Sequence, residues 1–531
     1  MLIANTEFGI IAHVRQSASL WLFLGAFILC LLYVRSLVTW KKRMRGLSLP
    51  PGPKPLPLVG NILDIGRWEN QWTGYKRLCS QYGDMVYLSL LGRRVLILGS
   101  PHAVEEVLEK RSSNTSDRPY SPLIPLTGND AGLASMPYGQ RWRDHRRAFW
   151  QAFQPRVVPT YRDVQRTSVR HFLHRVLSSD EDLQGHIRYV FASTMLKVLY
   201  NLDAAEKDDS MIGLIDKSLT CSVDLLTGGH ILDFFPWLRY LPGWLPGAGF
   251  QRTLSECKAT VDATKEVPFV KMKAALSQND AVTSALAPLL AKAEEGQTET
   301  AKGDYEEIVK NVGLIAIQGG SDTSFSTLLG LFLAMSLYPE VQSKAQAELD
   351  AVVGRHRLPD FEDRESLVYI NAVIKECLRW HTVLPLSLPH RTVDDDEIGG
   401  YFIPGGTIVI PNTWAILHDE QAYDAPYAFK PERFIREGKL DPFARDPAAY
   451  AFGYGRRVCA GRHFADESLF LTIASVLHVF RINAPLDEQG QPIKVDYRHT
   501  PGIVSYVVTS QFPDAMMTDH KLLDTRKTLD A

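Results

Sequence analysis

The chain has 531 residues, 45% hydrophobic and 22% charged, which is enough apolar material for a large core and excludes a disordered or collagen-like chain. Its 58 basic and 60 acidic residues leave a formal net charge of −2, without the basic excess of a nucleic-acid-binding protein. No Ser/Gly-rich linker or internal repeat divides the middle, so one large, mainly α-helical domain with a smaller β-rich part (an α+β fold) is expected. The six cysteines, Cys30, Cys79, Cys221, Cys257, Cys377 and Cys459, show neither a disulfide spacing nor a CxxC pattern, as suits a reducing compartment.

The first predicted element is a membrane span. After a short lumenal segment, 1–17, the run Ser19 to Val34 is almost entirely apolar, and the span 18–38 can just cross a thin bilayer. Trp21 and Tyr33 sit near its ends, as interfacial aromatics do. Lys41, Lys42, Arg43 and Arg45 outweigh the lone Arg15 before the span, which places the body of the protein in the cytosol. The competing reading is a cleaved secretory signal, but the run is long and no small-x-small cleavage site follows it. Residues 39–57 form a basic, proline-rich hinge ending in Leu49-Pro50-Pro51-Gly52-Pro53-Lys54-Pro55-Leu56-Pro57, whose restricted dihedrals limit the angles a domain can take. Asn114-Thr115-Ser116 fits a glycosylation sequon, which the cytosolic placement would leave unmodified.

Trp142 and Arg146 lie four apart on one helical face, in an Arg-rich run that also reads as a solvated surface. Phe234 to Phe250 is rich in apolar aromatics, and Pro236, Pro242 and Pro246 prevent a single helix there. That segment either dips into lipid headgroups or packs on the core. A helix is predicted from Tyr305 to Tyr338. Its adjacent Gly319 and Gly320 each cost about 1 kcal/mol relative to alanine, so a local opening of the helix is expected at Gly319-Gly320-Ser321-Asp322-Thr323-Ser324. Glu376 and Arg379, three apart, share a helical face, although exposed pairs at this spacing are common and contribute only ~0.2–0.5 kcal/mol.

The most informative stretch is Phe452-Gly453-Tyr454-Gly455-Arg456-Arg457-Val458-Cys459-Ala460-Gly461, followed by helical apolar spacing. A cysteine at a helix N-terminus meets partial positive charge and unpaired amides, which favour the thiolate. Gly455 and Gly461 leave room for a flat cofactor, and Arg457 can reach a carboxylate of it. A thiolate ligand pushes electron density onto a haem iron and favours O–O cleavage. In isolation, such a cysteine is more often a buried, inert one in a Gly-rich turn, and the surrounding pattern is what favours the ligand.

Taken together and in this order, these segments resemble the cytochrome P-450 family of haem-thiolate monooxygenases, over about Pro50 to Phe512. The resemblance implies a catalytic domain, 58–512, followed by a polar tail, 513–531, with haem b (iron protoporphyrin IX) as cofactor and Cys459 as the iron ligand. It implies that Asp322 and Thr323 form the acid and hydroxyl of a proton relay for dioxygen activation, with Gly319 standing where many relatives carry alanine. Phe429-Lys430-Pro431-Glu432-Arg433-Phe434 resembles the family's second partner segment, in which Arg433 completes a buried cluster with Glu376 and Arg379. Trp142, Arg146, Arg391 and Arg457 take the places of haem-propionate contacts.

No dinucleotide fingerprint or flavin extension is present, so the implied electron source is an NADPH-dependent flavoprotein reductase, with a cytochrome b-type donor as a second source. Arg141, Arg143, Arg146, Arg147, Arg456 and Arg462 would form the basic docking face. The implied location is the endoplasmic reticulum membrane, single-pass, with the domain in the cytosol and in contact with membrane lipid. By family analogy the substrate pocket draws on Asp117 to Met136, Thr227 to Leu232, Ile315 to Gly319, Thr382 to Leu388 and Gly502 to Ser505. Its named residues, Leu123, Ile124, Leu126, Leu133, Leu384, Leu386, Leu388, Ile503 and Val504, imply a lipophilic small molecule such as a terpenoid or polyketide, as in fungal members that decorate secondary metabolites. The alternative is a non-catalytic membrane haem protein that senses a ligand or carries electrons. The Asp322–Thr323 pair favours the enzyme.

Overall fold

The computed structural model describes residues 21, 24–25, 27–28, 30–66, 68, 70–178, 183–205, 209–226, 230–245, 249–278, 283–294, 298–484, 489, 491, 498–500, 504–505, 507–508 and 523–525. Residues 30–44 form helix α1, on which Leu31, Leu32, Tyr33, Val34, Leu37 and Val38 are all exposed. Among the described residues no single helix is long and apolar enough to cross a membrane. Segment 1–17, part of 18–38 and most of 513–531 lie outside the described residues. The end of α1 is fastened to the domain: Arg43 donates to both Asp395 oxygens at 2.8 and 2.5 Å, and Trp40 meets Phe402 edge-on at 5.7 Å.

The proline-rich stretch that follows is pinned rather than free to swing. The Phe402 amide donates to the Ser48 carbonyl at 2.8 Å, the Tyr87 amide to Pro51 at 2.9 Å and the Asn61 side chain to Pro53 at 3.0 Å. The Tyr87 contact seats it on the main sheet, and the Phe402 contact on a separate two-stranded one. Strand β1 (Met85–Leu90) pairs antiparallel with β2 (Arg93–Leu98), and after His390–Arg391 (β3) the strand β4 (Ile408–Pro411) runs parallel to β2, giving the order β1-β2-β4-β3. Alternation along β1 puts Val86 and Leu88 in the core, as a sheet with one covered face requires.

The helical body is built on α2 (Gln140–Phe153), α3 (Leu183–Tyr200), α4 (Ser210–Leu226), α5 (Phe250–Gln278), α6 (Glu299–Leu337), α7 (Val368–Trp380) and α8 (Arg462–Val479). At 39 residues, α6 runs for about 58 Å and is apolar on nearly every face through its middle, so it forms the axis of the core. The Thr298 hydroxyl accepts from the Ala301 amide at its start, and Pro339 ends it by removing the helical option from Tyr338. The expected opening at Gly319–Ser324 does not occur: the helix is α throughout. Gly320 is there because a Cβ would lie 2.9 Å from Met195 Sδ of α3, so the glycine permits close helix packing.

One cysteine expectation is overturned. Cys221 of α4 and Cys257 of α5 form a disulfide with Cα atoms 5.5 Å apart, while Cys30, Cys79, Cys377 and Cys459 are free. The partners are 36 residues apart, and only the side-by-side packing of two long helices brings them together.

Glu376 and Arg379 on α7 are completely buried and pair through two hydrogen bonds of 2.7 and 2.8 Å. Arg433 adds a third at 3.2 Å, and the Lys430 amide donates a fourth at 2.7 Å. Arg379 spends its remaining donors on the carbonyls of Leu417, Pro426 and Ala428. Every ion in this cluster is therefore both paired and hydrogen-bonded.

Arg379→Ala leaves a buried carboxylate short of its partner and is expected to cost about 3–5 kcal/mol, read as a lowered denaturant midpoint together with little haem-loaded protein. Cys221→Ser is expected to lose about 2–4 kcal/mol and to make the thermal midpoint insensitive to reductant, whereas the wild type falls when reduced.

Candidate active site

The loop that carries Cys459 takes its shape from two glycines in the left-handed region, φ +80° at Gly453 and +55° at Gly455. A Cβ on Gly455 would stand 2.3 Å from the Leu108 carbonyl oxygen, so no other residue fits there without a shift of backbone. The loop is closed by the Cys459 amide donating to the Phe452 carbonyl at 2.7 Å, and it is tethered by the Gly455 amide donating to Glu109 Oε1 at 2.7 Å. Helix α8 begins three residues after the sulfur.

Protein surrounds Cys459 closely, yet its surface opens onto an internal cavity of about 290 Å³. Burial pushes its thiol pKa up. The Gly461 amide, the charges of Arg146 and Arg462, and the Arg462 amide pull it down without overcoming burial. The helix N-terminus thus favours the thiolate, as read from sequence, but desolvation is the larger effect.

Three guanidiniums reach the same cavity: Arg118, Arg146 and Arg457. Arg457 is buried and donates to the carbonyls of Ser116 (2.7 Å), Leu133 (2.9 Å) and Met136 (2.8 Å), so three of its five N–H groups hold the 116–136 segment. Arg118 does the same for Ala134, Leu388 and Pro389, each at 2.7 Å. Burial, together with the Arg457 charge, lowers the Arg118 pKa to about 9, and burial lowers the Arg457 pKa to about 10. Arg146 is half-buried on α2, and burial lowers its pKa while Cys459 raises it. It makes no hydrogen bond or ion pair with any described residue. Trp142 is buried one turn before it, lines the cavity and lies under Arg457, with 4.7 Å between the guanidinium carbon and the ring centre.

Among the described residues no carboxylate lines this cavity. An apolar chamber holding three cations, free N–H donors and one sulfur fits a flat apolar group that brings its own two carboxylates, which is the chemistry of haem b.

Arg391 does not line the cavity. Its Nη1 lies 3.4 Å from Asp117 Oδ2, and strand pairing turns its neighbour His390 inward instead. His390 Nδ1 bonds the Thr115 carbonyl at 2.9 Å, and burial with the Arg118 charge holds it well below the usual histidine range. Sequence reasoning missed Arg118 and His390. The signal for Arg118 was a cation followed by proline at the head of an otherwise apolar stretch.

From α6, the residues Ile315, Ala316, Gly319, Gly320, Thr323, Ser324 and Thr327 face the cavity. The Thr323 hydroxyl donates to the Gly319 carbonyl at 2.8 Å and that of Thr327 to the Thr323 carbonyl at 2.9 Å, so each hydroxyl's one proton is committed within the helix. A Cβ on Gly319 would meet nothing within 4 Å, so alanine fits equally well. Asp322 is 4% exposed and does not line the cavity, since successive residues on a helix diverge by about 100°. His381, also missed, lines the cavity, its Nε2 2.9 Å from the Ser326 hydroxyl.

Of the expected pocket residues, Leu133, Leu384 and Leu388 line the cavity. Leu123 and Leu126 pack with Leu232 and Leu254, Leu386 packs on Trp414, and Ile124 and Val504 do not reach it. Thr227, Gly502 and Ile503 lie outside the described residues.

The chain matches the family model described as Cytochrome P-450 over residues 50–504. It is 41% identical over 455 residues to the cytochrome P-450 monooxygenase COX2 of Coprinopsis cinerea, covering 85% of this chain and 86% of the relative. The monooxygenase COX1 of the same fungus is 36% identical over 92% of this chain and 95% of the relative, and the tryptamine 4-monooxygenase of Psilocybe cyanescens is 36% identical over 87% and 91%. With that likeness joined to the geometry of the sulfur, the arginines and α6, the chain belongs to the cytochrome P-450 family and is a haem-b-dependent monooxygenase.

Proposed function

We propose that this protein is a membrane-associated monooxygenase that takes O₂ and electrons from an NADPH-dependent flavoprotein reductase to hydroxylate or otherwise oxidise a lipophilic small molecule, a terpenoid or polyketide of fungal secondary metabolism. The observation that carries this reading is the convergence on one cavity of the Cys459 sulfur, three arginines without a carboxylate, and the hydroxyl-bearing wall of α6. When bound, haem supplies dioxygen activation, and the charge of its iron keeps Cys459 deprotonated.

The protein's own contribution is placement. Cys459 is the ligand, fixed by a loop with two left-handed glycines. Arg118, Arg146 and Arg457, with Trp142, hold the propionates, and Arg146 is the cation with donors to spare. Thr323, whose own proton is committed to the Gly319 carbonyl, accepts a hydrogen bond from a water and so holds that water as the proton donor to the cavity, with Asp322, turned into the packed interior, as the acid that replenishes it. The apolar remainder of the wall excludes bulk water.

Membrane association is supported by the exposed apolar face of α1 and by exposed Phe235, Trp237, Tyr240 and Trp244 in the loop before α5, with 246–248 of that loop outside the described residues. An endoplasmic reticulum location with the domain in the cytosol fits Lys41, Lys42 and Arg43 in the last turns of α1 and Arg45 just after it. Reductase docking is supported by exposed Arg141, Arg143, Arg147, Arg456 and Arg462, whereas Arg146 turns inward to the cavity.

Cys459→Ser is expected to abolish the red-shifted Soret band of the reduced carbonyl complex and to reduce NADPH-driven oxygen incorporation, followed by mass spectrometry with reductase present, to background. Undiminished product from that variant would overturn the reading. Thr323→Val is expected to keep NADPH consumption while product falls about 100-fold and the balance leaves as hydrogen peroxide.

A further inference from the structure

Six residues with hydroxyl side chains line the cavity, and four of those hydroxyls are occupied within the protein. Thr323 and Thr327 donate to carbonyls of their own helix, Thr382 donates to the Arg379 carbonyl at 3.0 Å, and Tyr454 shares a hydrogen bond of 2.7 Å with Thr413. Ser324 and Ser387, 5% and 9% exposed, make no hydrogen bond through their hydroxyls with any described residue. Neither oxygen is sealed inside the packed protein, so each borders the cavity that its residue lines. An O–H group in an apolar chamber calls for an acceptor to meet it.

Ser387 differs from Ser324 in its backbone. Its φ of +50° lies in the left-handed region, which glycine takes freely and other residues rarely do. Of the seven non-glycine residues with positive φ among the described ones, only Ser387 lines the cavity; five of the others are exposed and Asn201 is half-buried. Glycine would hold the same turn with less strain, so the turn by itself does not account for the serine. The surrounding backbone is fixed from several sides. The Ser387 amide donates to the Leu384 carbonyl at 3.0 Å, the Ser505 amide to Val383 and the Trp414 amide to Pro385, both at 2.8 Å, and Arg118 Nη1 to the carbonyls of Leu388 and Pro389, each at 2.7 Å. The unspent hydroxyl is thus carried on a rigid strip, flanked in sequence by Leu384 and Leu388 of the same cavity, and its position is set before any ligand arrives.

We propose that Ser387 is a specificity-determining residue: its hydroxyl donates a hydrogen bond to an oxygen acceptor, such as a carbonyl, already present on the lipophilic substrate, and so fixes how that molecule lies in the chamber. The reaction that supplies the substrate is then one that leaves an oxygen on the carbon skeleton. This rests on the monooxygenase reading above and narrows its substrate class. A site built to hydrogen-bond one group discriminates against the analogue that lacks it.

The test is a spectral titration of the holoenzyme, as wild type, S387A and S387G, with two matched pairs: nootkatone against valencene, and 2-tridecanone against tridecane. S387A removes the hydroxyl and keeps the left-handed strain, whereas S387G removes both and keeps the test open if S387A loads haem poorly. In each variant that holds haem, the ketone of at least one pair is expected to bind about tenfold more weakly, while its hydrocarbon moves by about twofold or less and the thiolate-carbonyl Soret band stays intact. An equal change for ketone and hydrocarbon, which a merely structural role would give, would overturn the proposal. Unchanged binding of both ketones or no spectral response to any of the four compounds would do the same, as would haem loss from both variants, which would assign the hydroxyl to the cofactor. A wild type lacking the thiolate Soret band would instead refute the monooxygenase reading.

Discussion

A carboxylate sealed from water must be met donor by donor, and Glu376 is met four times, by two nitrogens of Arg379, by Arg433 and by the Lys430 amide. The placement of the sulfur depends on this. Helix α7 carries Glu376 and Arg379, and its neighbouring Lys375 pairs with Asp446 at 2.7 Å; Asp446 in turn accepts from the Ala448 amide at the start of the turn leading to Phe452. The cluster thus ties α7 to the 424–434 segment and, through Asp446, to the entrance of the Cys459 loop. Buried ion networks are not cheap ways to stabilise a fold. What this one supplies is a unique geometry, because each guanidinium N–H has one carbonyl or carboxylate it can reach.

The cavity inverts that logic. Arg118, Arg146 and Arg457 converge without a carboxylate among the lining residues, so their charges are compensated only partly, by carbonyl dipoles and by Asp117 outside the wall. Arg118 and Arg457 organise the protein with most of their donors and face the cavity with the remainder. Such a site is electrostatically complementary to a dianionic apolar cofactor before that cofactor arrives, which is the meaning of preorganisation here. On α6, helical geometry gives Thr323 to the cavity and Asp322 to the packed interior.

The chamber's wall is less uniformly apolar than a list of leucines implies, since the hydroxyls of Thr323, Ser324 and Thr327 on α6 interrupt it. The disulfide between α4 and α5 also fixes two long helices side by side.

The amino-acid sequence by itself determined the parts whose chemistry is local. The Gly-Tyr-Gly turn before Cys459, the helical start after it, the i,i+3 spacing of Glu376 and Arg379, and the i,i+4 spacing of Trp142 and Arg146 each follow from backbone periodicity and residue type. Tertiary structure decided what depends on distant chain segments meeting. It turned His390 rather than Arg391 inward, because neighbours on a strand point to opposite faces. It made Arg118 a cavity residue, paired Cys221 with Cys257 across two helices, let burial outweigh the helix N-terminus at Cys459, and set Met195 against Gly320 where α6 stays α-helical through two glycines. Those outcomes are set by packing and desolvation, which are properties of the assembled interior and have no counterpart in any short stretch of sequence.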